Sequence, residues 1–272
     1  MTFCVIIIVY FFHIKSYTRG NNMSEKQWFE KEAFWVNYGP IMFDTSRWAE
    51  APTVADSVCK IAGLSEGSSI LDAGCGPGRI SVELALNKLA VTGVDLIEPF
   101  LEAAKESAKD EGVEIDFIQA DLRTFKAKHK FDAAVNLYTS FGYCATIEED
   151  ALILKSISES LKDSGFFILE CLSRENAVRD FIEGEWFERA GKIVLTEFSV
   201  EGAWEGLRSK WILIDKKDGS RIEHEFVQRL YSAVELKRLI LESGFSSCEI
   251  YGDFDFSPYN EKARTMVLVC RK

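Results

Sequence analysis

The chain has 272 residues, 47% apolar and 12% aromatic, which is enough to bury a full core and too apolar for a disordered chain. Its formal net charge of −11 disfavours a nucleic-acid partner, because an acidic surface repels phosphate backbones. The densest basic stretch, Lys126-Ala127-Lys128-His129-Lys130, reads as a solvated loop before a strand.

Seven cysteines (4, 59, 75, 144, 171, 248, 270) include no C-x-x-C spacing, and the three histidines (13, 129, 224) are scattered. That pattern fits a reducing cytosol and supports no metal site. One principal domain with an insertion is expected.

In chain order, residues 1–22 stand apart. Residues 3–12 are strongly apolar but shorter than the roughly 20 residues of a spanning helix. They lack the basic start and small-residue cleavage site of a signal peptide. Met23-Ser24-Glu25-Lys26 resembles an ordinary protein start. Residues 1–22 are therefore expected to be an apolar leader outside the fold, a misassigned upstream extension. The alternative is a membrane-associated leader, without which no stable membrane association is expected.

Residues 23–62 read as a helical and aromatic segment, carrying Trp28, Phe29, Phe34, Trp35, Tyr38, Phe43 and Trp48. It ends in a helix predicted over residues 53–62, with Val54, Val58 and Ile61 on one face and Gly63 as its stop.

Residues 70–79 read Ile-Leu-Asp-Ala-Gly-Cys-Gly-Pro-Gly-Arg: an apolar strand running into glycines 74, 76 and 78, with helical spacing following at once. Strand, glycine loop and helix open the nucleotide-binding half of an open α/β sheet. A dinucleotide fingerprint needs Gly-x-Gly-x-x-Gly, and Arg79 stands where its third glycine belongs, which opposes an NAD enzyme. Asp95 closes the second apolar run, Val91-Thr92-Gly93-Val94, where a carboxylate can accept from two ribose hydroxyls. Strands and helices then alternate: helix 98–110, strand 115–119, strand 131–137, helix 149–161 and strand 165–171. That rhythm argues a parallel sheet with helices on both faces.

These motifs together resemble the class I S-adenosylmethionine (SAM)-dependent methyltransferases. The glycine motif Leu71-Asp72-Ala73-Gly74-Cys75-Gly76-Pro77-Gly78 matches. It is followed in family order by Gly93-Val94-Asp95, Gln119-Ala120-Asp121-Leu122, Phe131-Asp132-Ala133-Ala134-Val135-Asn136-Leu137 and the turn and strand of residues 161–169. The likeness covers about residues 28–272. It implies a Rossmann-like sheet of seven strands, mostly parallel with the last antiparallel, and SAM as cofactor with S-adenosylhomocysteine as product. No metal is implied.

The resemblance also implies residue roles. Ala73, Gly74, Cys75 and Gly76 would pass the methionine part of SAM, and Asp72 would orient the loop or take the amino group. Asp95 would hold the ribose, with Leu96 against the adenine. Asp121 would accept from the adenine amino group, or else cap a turn, with Leu122 beside the ring. Asn136 and Leu137 would lie near the sulfur. Gly78 would belong to the loop or serve only as the glycine at the helix start. Tyr38 and Arg47 are candidates from the N-terminal segment, Arg47 because a guanidinium pairs with a carboxylate.

The rhythm breaks after Leu172. Residues 193–200, 210–215 and 221–230 alternate with period two around polar or glycine turns such as Asp218-Gly219, an antiparallel patch. A helix at 233–243 and strands at 248–251 and 265–270 complete the sheet. The expected organisation is a SAM-binding core of residues 63–172 and 232–272, with an antiparallel insertion, 173–231, capping the carboxyl edge where ligands bind.

In-line methyl displacement mainly needs acceptor and methyl carbon held collinear. A base is needed only if the acceptor must lose a proton. Tyr143, His224 and Tyr231 are the candidates for that part, with Tyr138 and Glu170 also near the expected pocket. The reading is a cytoplasmic methyltransferase acting on an oxygen or nitrogen of a small molecule. RNA or protein methylation and SAM binding without transfer are its rivals. Nothing in the sequence sets the acceptor or the oligomeric state.

Overall fold

The computed structural model describes residues 26–272, so the leader expected at residues 1–22 lies outside the described residues. A 3-10 turn at Trp28–Glu30 leads into helices α1 (Glu32–Met42) and α2 (Thr45–Ala62). The helix expected from residue 53 thus begins two turns earlier. Asp44 caps it by accepting from the Arg47 amide at 3.1 Å. Pro52 removes one backbone donor inside it. The helix continues because Ala51, Val54, Ala55 and Val58 are buried against the sheet.

The core follows as β1 (Ser69–Ala73), α3 (Arg79–Leu86), β2 (Ala90–Asp95), α4 (Glu98–Asp110), β3 (Asp116–Gln119), β4 (Phe131–Asn136), α5 (Ile147–Ser160) and β5 (Leu161–Cys171). Beyond β5 come α6 (Arg174–Arg179), β6 (Gly184–Arg189), β7 (Lys192–Glu201), β8 (Gly206–Asp215) and β9 (Arg221–Arg229). The chain ends with α7 (Ala233–Glu242), β10 (Ser247–Tyr251) and β11 (Met266–Arg271).

The large sheet has seven strands in the order β10-β11-β5-β4-β1-β2-β3. Its inner strands are parallel, and β11 runs antiparallel to both β5 and β10. Successive residues point to opposite faces of a strand, and both faces are buried. Leu71, Ala134 and Phe167 join Leu154, Ile157 and Leu236 of α5 and α7 in one core. Their neighbours Ile70, Ala133 and Ile168 join Val54, Val58 and Leu84 of α2 and α3 in the other. Such strands read as continuous apolar runs rather than alternating ones. The strand order reverses between β1 and β4, which opens a crevice at their carboxyl ends.

A second, antiparallel sheet of order β6-β7-β8-β9 is built from the segment that leaves the carboxyl end of β5. Helix α1 lies on it: Phe34, Tyr38 and Ile41 pack with Val194 of β7 and Leu213 of β8. Strand β6 and helix α6 had no counterpart in the sequence reading. No helix among the described residues is long and apolar enough to cross a membrane.

Candidate active site

The glycine loop begins where β1 ends. Gly74, Gly76 and Gly78 have φ of 81°, 54° and 80°, which only glycine adopts without strain. The Gly74 and Cys75 amides both donate to the Val94 carbonyl, at 2.7 and 3.0 Å, so the loop is folded back onto β2. At the end of β2 the Asp95 carboxylate splints it further. Its Oδ2 accepts from the Gly76 amide at 2.8 Å and its Oδ1 from the Ile97 amide at 2.9 Å.

Three of the motif positions, Gly78, Ala73 and Asn136, have a supporting part instead of a cavity-facing one. Gly78 starts α3 and faces α4. A Cβ there would lie 2.7 Å from the Ala104 Cβ, so this glycine permits close helix packing. Ala73 is buried in β1, and its carbonyl accepts from Asn136 Nδ2 at 2.6 Å. Asn136 therefore braces the loop from behind, with its Oδ1 buried and unpartnered among the described residues.

A cavity of about 470 Å³ opens over this loop. Asp72, Gly74, Cys75 and Gly76 form its floor, and Asp95, Leu96, Asp121 and Leu122 one side. Leu137, Tyr138, Thr139, Ser140 and Tyr143, from the loop after β4, form the other side together with Glu170 of β5. The roof comes from the N-terminal segment and the second sheet, through Phe29, Trp35, Phe43, Arg47, Arg189 and Trp211.

Three of the four carboxylates of this cavity are raised and one is lowered. Burial lifts Asp72 to about 6, although it accepts from the Ser81 hydroxyl at 2.6 Å. Burial also raises Asp95, opposed by its backbone donors at Ile97 and Gly76. Burial raises Glu170 in the same way. For Asp121 burial is outweighed by Arg123, whose guanidinium donates to both of its oxygens, and the carboxyl lies below its usual value. Arg123 also pairs with Glu30 and Glu149, so it ties the N-terminal turn to the loop after β3.

Asp72 makes stability depend on pH. Its folded pKa, about 6, lies above the unfolded value near 3.9. The folded state therefore holds the proton more tightly, and this contribution is complete below the unfolded value and lost as pH rises through 6. In Asp72→Asn the Ser81 bond survives but to a neutral acceptor. We expect urea unfolding at pH 8 to show a gain of about 2 kcal/mol for the variant, and a flatter stability profile between pH 4 and 7. An unchanged profile contradicts the assignment.

Several sequence candidates lie elsewhere. Tyr38 is fully buried between α1 and the second sheet, and its hydroxyl donates to the Trp211 carbonyl at 2.9 Å. It is a core residue because α1 docks on β7 and β8, not on the glycine loop. His224 sits edge-on to Phe34 and Tyr38 in the same interface, with ring centroids 5.2 and 5.5 Å apart. Tyr231 is buried below the loop after β4 and donates to Asp150 at 2.7 Å. Of the three candidate bases only Tyr143 lines the cavity.

Arg79 is a site residue not expected from the sequence. It is 4% exposed, lies 3.9 Å from the Tyr138 ring centroid and donates to the Arg47 carbonyl. Its only sequence signal was a charge at the head of an apolar helix. Tyr138 and Thr139 hold φ of 57° and 63°, a strained region for such residues. Glu170 holds them there: its side chain accepts from the Tyr138 amide at 2.7 Å and its carbonyl from the Thr139 amide at 3.3 Å.

A switch-point cavity with a glycine loop, a strand-end aspartate and this sheet order defines a class, and comparison with known proteins agrees. The chain is a SAM-dependent methyltransferase of the class I fold. Its residues 70–165 match the family described as a methyltransferase domain.

Among similar proteins is the dTDP-3-amino-3,4,6-trideoxy-alpha-D-glucopyranose N,N-dimethyltransferase of Streptomyces venezuelae. It is 32% identical over 122 residues, 45% of this chain and 49% of that protein. A SAM-dependent methyltransferase from Clostridium acetobutylicum shares the fold with a TM-score of 0.72 at 16% identity, over 88% of this chain and 97% of the other. SAM-bound CalS10, an amino pentose methyltransferase from Micromonospora echinaspora, does so with a TM-score of 0.65 at 19% identity, over 93% and 100%.

Proposed function

We propose that this enzyme transfers the methyl group of SAM to an oxygen or nitrogen of a small molecule. The observation that carries the reading is a single roofed cavity. It joins the glycine loop and Asp95 to the carboxyl ends of β4 and β5 under the rings of Trp35, Tyr143 and Trp211.

The cradle fits SAM. A Cβ on Gly74 would come a tight 3.1 Å from the Ser140 Cβ, and at Gly76 the φ of 54° strains any side chain, so the floor is built for glycine. In this reading Asp95 holds the ribose hydroxyls, Leu96 and Leu122 flank the adenine, and Asp121 accepts from its amino group. Arg47 pairs with the methionine carboxylate. Bound there, SAM supplies an electrophilic methyl carbon. The protein's own contribution is to hold the acceptor in line with it and exclude water.

The segment 173–231 acts in this reading as a cap over the acceptor, since Arg189 and Trp211 reach the cavity from it. The aromatic walls and enclosed volume suit a small, partly apolar acceptor. The aminosugar methyltransferases among the similar proteins support the same choice over RNA or protein.

The test is incubation with methyl-labelled SAM and a metabolite panel, read by mass spectrometry. Labelled product from a small molecule is expected. Tight binding of S-adenosylhomocysteine with no transfer to any amine or hydroxyl would instead favour a SAM-binding protein without turnover.

A further inference from the structure

Four carboxylates line the cavity, and all four accept local hydrogen bonds. Asp72 holds Ser81, Asp95 holds the Gly76 and Ile97 amides, and Asp121 holds Arg123. Glu170 differs from these in where it lies. It lies at the carboxyl end of β5, separated from Asp95 on β2 by the intervening strands β4 and β1. Each of its oxygens accepts one bond from a neutral donor, Oε2 from the Tyr138 amide and Oε1 from the Thr265 hydroxyl. An ionised carboxylate offers about four acceptor sites, so roughly two remain.

No cation among the described residues forms an ion pair with Glu170. Arg264 pairs with Asp253 and Arg47 with Glu50, and Arg79 donates to a carbonyl. Arg264 and Arg47 attract the carboxylate from beyond ion-pair distance, and a desolvated anion without a direct partner is costly unless a cation arrives to complete it. The aromatic rings that line the same cavity, Tyr143 and Trp211 among them, also favour a cation through their negative faces.

We propose that Glu170 is the acceptor-binding carboxylate, that it takes an amine in its ammonium form, and that the enzyme is therefore an N-methyltransferase. This rests on the methyltransferase reading above. In the reaction Glu170 accepts one proton from the ammonium, and the freed nitrogen lone pair forms the new N–C bond. The C–S bond breaks with its electron pair going to sulfur, which becomes the neutral thioether. The product leaves as a methylated ammonium, and Glu170 returns its proton to water.

The decisive experiment is calorimetry of benzylamine and of its neutral counterpart benzyl alcohol, each binding to the enzyme loaded with S-adenosylhomocysteine. We expect the wild type to prefer benzylamine by about tenfold or more, the scale of one charged hydrogen bond. Glu170→Gln should lose that preference while keeping its affinity for S-adenosylhomocysteine. The amide preserves both local bonds, accepting from Tyr138 and donating to Thr265, so its melting temperature should barely move.

Equal binding of the two probes by the wild type overturns the proposal, as does no binding of either, or a preference that survives in the variant. A tenfold loss of S-adenosylhomocysteine affinity in Glu170→Gln also overturns it, because the carboxylate would then serve the amino group of the methyl donor. Should the wild type fail to bind S-adenosylhomocysteine at all, the methyltransferase reading fails first. The wild-type comparison stands even if the variant does not fold.

Discussion

Asp95→Ala is expected to weaken S-adenosylhomocysteine binding by about a hundredfold, close to 2.7 kcal/mol. The carboxylate has two tasks, and the substitution removes both. It is placed to accept from the ribose hydroxyls, and it already accepts from the Gly76 and Ile97 amides that set the loop. Loss of the first costs charged hydrogen bonds to the ligand. Loss of the second leaves two backbone donors without an acceptor and lets the cradle relax.

Asp95→Asn is a sharp control. An amide can accept on one side only, and its NH2 would face one of the two N–H donors, so this near-isostere should fare little better than alanine. Affinity should also fall on acidification from above the ordinary carboxylate range, because burial raises this group and the bonds need it ionised. Calorimetry of both variants across pH checks all three statements. Wild-type affinity in Asp95→Ala would remove the carboxylate from the site altogether.

What could be read ahead of the structure was local and periodic. The cradle was legible because three glycines within five residues, between an apolar strand and an apolar helix, leave few other conformations. The inner strands β1, β2, β4 and β5 were legible because buried parallel strands carry nearly unbroken apolar runs. Strand β6 was not, since Gly184–Arg189 is an edge strand, largely exposed, and its pairing is set by β7 rather than by its own pattern. The start of α2 was not legible, because its first two turns carry Trp48 and polar residues rather than an apolar stripe, and Pro52 is an interior residue.

Strand parity correctly grouped His224 with Ile222 and Phe226. Parity selects a face and not what covers it, and here α1 covers it. Tyr38 failed for the same reason, while Arg47, nine residues on, reaches the cavity. Charge clusters were the least visible. Arg123 and Glu30 are 93 positions apart and Arg229 and Asp150 are 79 apart, so only the folded chain reveals them as pairs.

Asp150→Ala should cost about 4 kcal/mol of stability, within the range for breaking a buried ion pair from one side. Asp150 is fully buried on α5, and its Oδ2 accepts from the Tyr231 hydroxyl at 2.7 Å and from Arg229 Nε at 3.1 Å. Burial pushes the carboxyl up, and these two donors oppose it. Arg229 in turn holds the loop that forms the acceptor side of the cavity. Its amide donates to the Gly142 carbonyl at 2.8 Å, and its Nη2 donates to the carbonyls of Cys144 and Ala145.

A Cβ on Gly142 would meet the Arg229 carbonyl at 2.8 Å, so loop and strand β9 are in direct contact there. Removing the carboxylate strands the Tyr231 hydroxyl and part of the guanidinium. The loop between β4 and α5 should then loosen while the glycine cradle, braced by Asn136 and Asp95, stays in place. Turnover should therefore fall much further than affinity for S-adenosylhomocysteine. In urea unfolding, a double-mutant cycle of Asp150→Ala with Tyr231→Phe should give a coupling of about 1–2 kcal/mol. If Asp150→Ala costs less than about 1 kcal/mol, or lowers cofactor affinity and turnover equally, Asp150 is not the anchor of the acceptor loop.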